Sequence, residues 1–515
     1  MNWQLWVERA IEGFNAFVLA YFLALNISYI LLFFISLRAV IRFLRRTFFS
    51  DYQQILKSDM TLPITLIVPA HNEEKTIVDT VRSLQMLNYP EFEIVVVNDG
   101  SKDRTLERLL SAYQLRRVDR VFKRSLPTRD VKALYATPLV PNLIVVDKLQ
   151  GGKADALNCG INLSKYPLFC SMDADSVIED DALLKAVKPF MEWPEETVAV
   201  GGIVRCVNGC TVNEGRVTHI ALPRRFLPVF QVVEYLRAFL SGRLGWSALD
   251  GLLLISGAFG VYRKSAVVEV GGYDSSTDTE DLELVMALHQ VNRAKKRPYR
   301  IVFVPDPVCW TEVPGTWKML RRQRNRWHRG MLQSISRHRR MLFNPRYGVI
   351  GTLVIPYFLI FETMGPFVET LGYISVPLAW VLGLLNTQFF VLFFIMAVAF
   401  GVFLSVAAIL LEEISYRRYP SWGDLWRLLI CGVLENFGFR QLLALFKIQA
   451  FWEYLRGLRR WGRLTRVGFE KGAPGAPGGP RLSGEAVRVS GEAVRVSGGI
   501  RTSGSVTRTS GKNVA

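Results

Sequence analysis

Residues 64–101 have the sequence ITLIVPAHNEEKTIVDTVRSLQMLNYPEFEIVVVNDGS, and this stretch decides the fold. A short apolar run ends at Pro69, a helical pattern follows over 71–87, and a second apolar run follows at 93–101. Continuous Val/Ile/Leu runs separated by helices are typical of buried parallel strands. The pattern therefore predicts an α/β domain with a mainly parallel sheet. Two further runs of this kind are LIVVD at 143–147 and LFCSMDADS at 168–176.

Two apolar blocks flank this region and predict an integral membrane protein. Residues 14–37 contain 24 residues without a charge, more than the roughly 20 that span a bilayer. Residues 349–411 form a second block, long enough for two or three spans. The arginines directly after the first block place the intervening domain in the cytoplasm and the N-terminus outside. These arginines are Arg38, Arg42, Arg45 and Arg46.

The remaining chain is divided by changes in composition. From about residue 472 it is rich in Gly, Pro and Ser, and it repeats SGEAVRV in tandem, which predicts a disordered tail. The expected segments are an N-terminal segment 1–13, a transmembrane helix 14–37, a connector 38–60, a cytosolic domain 61–340, transmembrane helices 349–411, a basic interfacial or re-entrant region 412–470 and a disordered tail 471–515.

Two amphipathic stretches leave alternatives open. Residues 222–255 mix arginine with Phe, Leu and Trp, which suits a helix in the membrane interface or an amphipathic helix packed on the domain. Residues 426–447 are apolar but contain Glu435, Asn436 and Arg440. Polar groups of this kind favour a re-entrant or interfacial segment over a plain span.

Charge and cysteine content exclude other classes of protein. The 515-residue chain has a formal net charge of +18, which could indicate nucleic-acid binding. Much of this charge lies beside the apolar blocks, where arginine favours the anionic lipids of the cytoplasmic leaflet. We therefore expect membrane lipids and no nucleic acid as partners. The closest cysteines, Cys206 and Cys210, lack the second pair that a structural zinc site needs.

The first candidate site residues follow the first two strands. Asp99 stands at the carboxyl end of its strand, where a carboxylate can accept hydrogen bonds from a nucleobase or ribose. Glu73, just after the strand that contains Pro69, could face the same pocket. Asn-Asp-Gly is also a common turn, and a turn without further function is the competing interpretation of Asp99.

The second group combines two carboxylates with a lysine. Asp173 and Asp175 follow a buried strand and can reach a hard cation together, with phosphate oxygens and water completing its shell. Lys153 follows two glycines and can neutralise a phosphate as a point charge. The alternatives are a solvated acidic loop and a surface lysine.

The third group is the sequence Thr279-Glu280-Asp281. A carboxylate here can be a general base if it lies within hydrogen-bond reach of an acceptor hydroxyl. Asp278 or Thr279 can equally cap a helix whose first turn favours acidic residues. The two interpretations are compatible.

The fourth group precedes the second apolar block. Gln323, Arg326 and Trp327 lie three and four residues apart and share one face of a helix. Arg326 can bind a diphosphate and Trp327 can stack on a sugar ring. The alternative is one more basic helix beside the membrane.

These elements together resemble the processive family 2 glycosyltransferases, which include the cellulose, chitin, hyaluronan and poly-N-acetylglucosamine synthases. The resemblance covers about residues 60–450, because the D, D-x-D, TED and QxxRW elements occur in order. It implies a GT-A fold, an inverting mechanism that makes β-linkages, and location in the bacterial inner (plasma) membrane. It departs from the family pattern in the single expected N-terminal span, in residues 112–140, which resemble an insertion, and in the repetitive tail.

The resemblance also implies a role for each motif. Asp281 is the expected base, Asp173 and Asp175 hold Mg²⁺ or Mn²⁺, and Glu280 lies on the acceptor side. The residues expected to bind the nucleotide-sugar are Pro69, Glu73, Asp99, Lys153, Asp173, Gln323, Arg326 and Trp327. The residues expected to bind the acceptor are Ser256, Gly257, Phe259, Gly260, Glu280 and Trp327.

We expect this chain to extend a β-linked polysaccharide from a UDP-sugar, with UDP-N-acetylglucosamine as the expected donor and a growing glycan as acceptor. The alternatives are a transferase that adds one sugar to a lipid acceptor, and a transport or scaffold protein with a degenerate transferase domain. Several apolar helices after QRNRW favour the first, since a channel is needed only if the product crosses the membrane. An accessory export subunit is implied by family analogy alone.

Overall fold

The computed structural model describes residues 3–48, 61–213, 215–383, 386–419, 421–458 and 470–471. The expected disordered tail and most of the expected connector lie outside these residues. The described strands are β1 (Ile64–Ala70), β2 (Phe92–Asp99), β3 (Arg116–Val118), β4 (Val131–Ala136), β5 (Leu143–Lys148), β6 (Leu168–Met172), β7 (Val177–Ile178), β8 (Thr197–Cys206), β9 (Thr211–Asn213), β10 (Arg216–His219), β11 (Phe259–Arg263), β12 (Arg300–Thr311) and β13 (Glu470–Lys471).

The main sheet has the strand order β3-β4-β5-β2-β1-β6-β11-β8-β12-β7. Its central strands β5, β2, β1 and β6 are parallel, and β8 pairs in parallel with β12. β11 lies antiparallel between β6 and β8, so β6 and β8 point the same way. This topology confirms the α/β, mainly parallel sheet expected of a GT-A domain. The carboxyl ends of β2 and β6 therefore meet at one edge of the sheet, where ligands bind in open α/β folds.

The strands form the core because their apolar runs are covered on both faces. Ile64, Leu66 and Ile67 of β1 are fully buried. Gly160 allows the helix over them to approach closely, since a Cβ there would lie 2.3 Å from Ile67 Cγ2. The helices of this domain are α2 (Ile77–Gln85), α3 (Thr105–Tyr113), α4 (Lys153–Leu163), α5 (Ala182–Glu192), α6 (Phe226–Leu236), α7 (Leu244–Ala248), α8 (Lys264–Glu269), α9 (Glu280–Ala294) and α10 (Trp317–Arg337).

The N-terminal helix α1 (Trp3–Phe48) is longer than the expected span 14–37. Its 46 residues correspond to about 69 Å, more than twice the roughly 30 Å of a hydrocarbon core. It continues through the arginines after Leu37 because arginine is a good helix former. The apolar pattern located the segment that can lie in lipid, but not the ends of the helix.

The C-terminal block contains two further helices long and apolar enough to cross a membrane, Ile350–Val381 and Thr387–Ser415. The first has its α-helical part α11 (Ile355–Tyr357) between π-helical turns and continues as α12 (Gly365–Val381). The second contains α13 (Thr387–Phe394) and α14 (Phe400–Ser415). These two helices are candidates for the two or three spans expected in this block.

The stretch 426–447 is bent, and the interfacial or re-entrant segment expected there stays a prediction. Helices α15 (Trp422–Leu434) and α16 (Phe439–Leu455) meet at an angle of 57°. The break contains Glu435 and Asn436, which are both buried. Helix α16 then packs along α10.

The expected amphipathic stretch 222–255 forms α6, a π-helical segment (Arg237–Arg243) and α7 in succession. It packs on β8 and β12 and also against the apolar helices α1 and α14. Ser36 Oγ of α1 donates to Ser241 O at 2.7 Å. The stretch therefore joins the α/β domain to the apolar helices. The expected insertion 112–140 contains β3 and β4, which extend the sheet at one edge.

Candidate active site

One cavity of about 580 Å³ lies between the α/β domain and the apolar helices. Its domain side carries most of the residues that the motifs predicted. Its other side is lined by residues of α1 and of the C-terminal helices. The predicted residues on its wall are Lys153, Asp173, Asp175, Ser256, Gly257, Glu280, Asp281, Gln323, Arg326 and Trp327.

Asp99 holds the glycine loop that leads into α4. Its Oδ1 accepts from Gly151 N at 2.8 Å and its Oδ2 accepts from Gly152 N at 2.7 Å. Lys148 Nζ donates to the same Oδ1 at 2.7 Å and also pairs with Asp155 at 2.5 Å. In this state Asp99 orders the loop before Lys153 and does not line the cavity. Two other predicted donor-site residues do not line the cavity either. Pro69 lies inside β1, and Glu73 accepts a hydrogen bond from Thr76 Oγ1 at 3.0 Å.

Lys148 is a residue of this site that the sequence analysis missed. Its side chain is fully buried although it carries an ammonium group. A buried lysine is rare unless it is paired, and here two carboxylates pair with it. The available signal was a lysine at the end of the strand LIVVDK, three residues before Gly151 of the glycine loop.

Lys153 is the centre of the carboxylate cluster. Its Nζ contacts Asp173 Oδ1 at 2.6 Å and Glu280 Oε1 at 3.0 Å, and it donates to Gly257 O at 3.4 Å. Burial alone would lower the pKa of Lys153, but the two carboxylates outweigh it and hold the pKa above its ordinary value. The structure thus brings together motifs that are far apart in the sequence.

Asp281 lies at the start of α9, one residue after Glu280. Its Oδ2 accepts from Gly257 N at 2.8 Å and its Oδ1 accepts from Leu282 N at 2.9 Å. Burial, and then the negative charge of Glu280, raise the pKa of Asp281 above its ordinary range, while Lys153 opposes the shift. A carboxylate with a raised pKa at a cavity wall has the properties of a general base.

Only the N-terminal part of the segment 256–260 lines the cavity. Ser256 and Gly257 line the wall, and a Cβ at Gly257 would lie 2.8 Å from Lys153 Nζ. Phe259 and Gly260 belong to β11 and are buried behind it. Gly257 therefore allows the lysine to approach the backbone closely.

Helix α10 presents Gln323, Arg326 and Trp327 to the cavity. It begins at Thr316, whose Oγ1 accepts from Met319 N at 3.4 Å. The guanidinium carbon of Arg324 lies 4.3 Å from the centre of the Trp327 ring, and Arg324 pairs with Glu234 at 2.7 Å. These contacts fix the orientation of the tryptophan.

Arg243 is a residue on the cavity wall that the sequence analysis also missed. It ends the π-helical segment, and its guanidinium carbon lies 4.0 Å from the centre of the Phe239 ring. Burial lowers its pKa to about 10, and the nearby Asp281 acts in the opposite direction. π-Helical turns occur often at functional sites, but the mixed apolar sequence gave no specific signal.

The residues present fit a divalent cation held mainly by a phosphate ligand. Asp173 and Asp175 offer hard carboxylate oxygens on the cavity wall. The ammonium of Lys153 beside Asp173 shows that this wall accommodates a cation. Within the described part of the chain no three His, Cys, Asp or Glu side chains are grouped as a complete metal site. Such a cation would need further ligands from a diphosphate or from water.

The membrane side of the cavity combines aromatic and polar residues. Tyr29 of α1 donates from its hydroxyl to Glu362 Oε1 at 3.2 Å. Glu369 lies seven residues later on the same long helix and accepts from the Tyr373 hydroxyl at 3.4 Å. Other residues on this side are Tyr21, Phe22, Asn26, Tyr357, Phe361, Leu404 and Arg440.

Two family models match the chain. The model described as glycosyl transferase family 2 matches residues 65–269, and that described as glycosyl transferase family group 2 matches residues 168–411. Together they extend over the site motifs from Asp99 to Trp327.

Similar proteins include two poly-beta-1,6-N-acetyl-D-glucosamine synthases. The one from Staphylococcus epidermidis is 31% identical over 267 residues, which are 52% of this chain and 54% of that protein. The one from Staphylococcus aureus strain COL is 30% identical over 268 residues, with the same coverage of 52% and 54%. The match spans about half the length of these relatives.

Solved structures give more distant likenesses. A mannosyltransferase from Pyrobaculum calidifontis, in complex with GDP-Man and Mn²⁺, has a TM-score of 0.45 at 19% identity, over 82% of this chain and 99% of that one. Residues 1–349 of TarS from S. aureus, in complex with UDP, have a TM-score of 0.37 at 14% identity, over 78% of this chain and 94% of that one. At these scores the likenesses carry no argument about function.

Proposed function

We propose, from the premise that this chain carries a family 2 glycosyltransferase domain, that it extends a β-linked glycan from a UDP-sugar at a membrane. The proposed donor is UDP-N-acetylglucosamine, the sugar named in the relatives at about 30% identity. The proposed domain faces the cytoplasm, and the proposed membrane is the bacterial inner membrane. The proposal includes membrane lipids, expected from the arginines beside the apolar blocks, and an accessory export subunit, expected from the family resemblance.

The observation that carries the proposal is the continuity of the cavity. The same cavity is lined by Asp281 on the domain side and by Glu362 and Glu369 on the membrane side. Aromatic rings with hydrogen-bonding groups suit a glycan, whose rings have apolar faces and hydroxyl edges. A transferase that adds one sugar to a lipid needs no such passage. The cavity therefore favours polymer extension with translocation over the single transfer to a lipid.

The proposed reaction is a displacement at the anomeric carbon of the donor. The acceptor hydroxyl oxygen forms a bond to this carbon as the bond to the diphosphate oxygen breaks, and UDP leaves. Asp281 takes the proton of the hydroxyl, and its raised pKa suits this role. Attack from the side opposite the leaving group inverts the configuration and gives a β-linkage from an α-linked donor.

The other wall residues hold charge and orient the sugars. Lys153 and Arg326 neutralise the diphosphate, and Trp327 stacks on a sugar ring. Asp99 orders the loop before Lys153 and is proposed to contact the nucleoside. Asp173 and Asp175 would hold Mg²⁺ or Mn²⁺, which would supply further positive charge for the leaving diphosphate.

The test is sugar incorporation by the purified full chain in lipid. Labelled UDP-N-acetylglucosamine, UDP-glucose and UDP-glucuronate are each offered with Mg²⁺, Mn²⁺ or a chelator. We expect label from UDP-N-acetylglucosamine in material of high molecular mass, dependent on the metal. The Asp281→Asn variant should lose about 10³-fold in rate, because general-base catalysis contributes on this scale.

Three outcomes would contradict parts of the proposal. Label found only in an organic-extractable lipid would favour the single transfer. Incorporation by Asp281→Asn at the wild-type rate would remove Asp281 as the base. No turnover of any donor by the wild-type chain would contradict the proposed function.

A further inference from the structure

A row of side chains on α10 contacts the loop that contains Asp281, the proposed base. Gln323, Arg326 and Trp327 face the cavity from the N-terminal half of this helix. Arg329, Gln333 and Arg337 follow at four-residue spacing and so form a row along the helix. All three contact the segment 274–283, which leads into α9 and contains Asp281. We call this row the loop clamp.

The centre of the loop clamp is a buried ion pair. Asp278 Oδ2 accepts from Arg329 Nε at 2.5 Å and from Gln333 Nε2 at 3.0 Å. The backbone amide of Asp278 donates to Gln333 Oε1 at 2.8 Å. The side chains of Arg329 and Asp278 are 3% and 5% exposed. Both the side chain and the backbone of Asp278 are thus fixed, three residues before Asp281.

The residue after Asp278 also lies close to α10. Gly330 lies opposite Thr279, and a Cβ at this glycine would lie 2.3 Å from Thr279 Oγ1. Arg337 pairs with Asp274 at the start of the segment and contacts Glu283 at 3.6 Å near its end. The segment 274–283 therefore contacts the C-terminal half of α10 near its start, in its middle and near its end.

Arg329 also contacts a second carboxylate outside the catalytic segment. Its Nη1 donates to Glu453 Oε2 of α16 at 3.5 Å and to Asn325 Oδ1 at 3.3 Å. Helix α16 belongs to the bent pair that follows the apolar helices. The guanidinium of Arg329 on α10 therefore contacts both the segment 274–283 and helix α16.

We propose that Arg329, through Asp278, is a positioning residue that holds Asp281 at the cavity wall. The inference rests on the proposed function of Asp281 as base. Arg329 touches no substrate in this account, and its effect passes through Asp278 and the loop. A planar guanidinium suits this role, because it can serve two carboxylates in fixed directions.

The mechanism predicts a separation of turnover from donor binding. Lys153 contacts Glu280 of this segment, but it also contacts Asp173, which lies outside the segment and stays in place. A small displacement of Asp281 should lower kcat, since misplacement by about 1 Å can cost roughly 10²-fold in rate. Affinity for UDP in the presence of Mn²⁺ should change little.

The experiment compares Arg329→Gln, Asp278→Asn and the double variant in the full chain. We expect kcat to fall about 10²-fold in each single variant, with UDP affinity within about twofold of wild type. If each residue acts through the other, the double variant loses no more than the worse single variant. Arg329→Lys keeps the charge but not the fork, so partial recovery of kcat is expected. Arg339→Gln, an exposed arginine just after α10, is the matched control and should leave kcat unchanged.

The outcomes distinguish this inference from the proposed function. Multiplied losses in the double variant, or a parallel fall of kcat and UDP affinity, would overturn the positioning role. Retained kcat in both Arg329 variants of an active chain would contradict only this inference. A wild-type chain that transfers no sugar would overturn the proposed function and the inference with it.

Discussion

The two sides of the cavity use charged residues differently. On the domain side, charges converge: Lys153 contacts Asp173 and Glu280 within 3.0 Å, and Asp281 lies next to them. On the membrane side, acidic groups are spread along the wall. Glu362 and Glu369 each meet a tyrosine hydroxyl, seven residues apart.

One ion pair on the membrane side lies at the break of the bent helices. Arg237 pairs with Glu435 at the break of the bent helices, and Ser405 donates to the same carboxylate at 2.6 Å. Intramembrane charges are costly unless they are paired in this way. We therefore expect sugar transfer on the domain side, where charged groups converge. We expect the glycan to pass along the membrane side, where hydrogen-bonding groups are spread out. The predictions below test this division of roles.

The largest effect is expected at the point of convergence. Lys153→Met removes the cation that contacts Asp173 and Glu280, and we expect a loss of about 10²-fold in kcat with weaker UDP binding. Steady-state rates and UDP titration measure the two quantities. Lys295→Met, on an exposed lysine that pairs with Glu269, is the control and should change neither. Unchanged turnover in Lys153→Met would refute the central role of this lysine.

An intermediate effect is expected on the membrane side. Leu404 lines the cavity, whereas Leu410, on the same helix α14, is 45% exposed. Leu404→Trp should narrow the passage and reduce polymer yield about tenfold, equivalent to roughly 1.4 kcal/mol in a barrier. UDP affinity should be retained, because Leu404 belongs to the apolar helix α14 and not to the domain side of the cavity. Gel analysis of the labelled product measures the yield.

Leu410→Trp is the matched control for this substitution. It should leave both yield and product length unchanged, since the new ring faces away from the cavity. Equal losses of polymer yield in the two variants would mean that any large side chain on α14 lowers the yield. That result would argue against a passage for glycan along the cavity.

The smallest effect is a shift in pH dependence. As the proposed base, Asp281 accepts a proton only when it is deprotonated, so we expect the rate to fall as the pH drops through its pKa. Burial and then Glu280 raise this pKa, while Lys153 lowers it. Glu280→Gln removes the negative neighbour, so the acidic limb of kcat/KM should move to lower pH.

Glu269→Gln on exposed α8 is the control for this profile and should leave the acidic limb in place. A limb that moves to higher pH in Glu280→Gln would contradict the electrostatic account of Asp281.

Much of this organisation follows from local sequence patterns. The apolar runs of β1, β2, β5 and β6 predicted a mainly parallel sheet, because a strand buried on both faces must be apolar throughout. The uncharged block at 14–37 predicted a membrane-spanning helix because its length matches a bilayer. Asp281 and Trp327 were predicted as site residues from the TED and QxxRW motifs, and both line the cavity.

Tertiary structure alone decided which of these residues meet. Lys148 joins Asp99 to Asp155, and Arg329 joins Asp278 to Glu453, across separations that no periodicity encodes. Phe259 lies inside β11 although its motif suggested the acceptor site. Local pattern reports which face of an element is apolar, whereas a buried ion pair depends on how distant elements pack. Local patterns were thus enough to predict the sheet, the apolar helices and the motif residues, whereas the packing of distant elements formed the cavity, the loop clamp and the ion pairs.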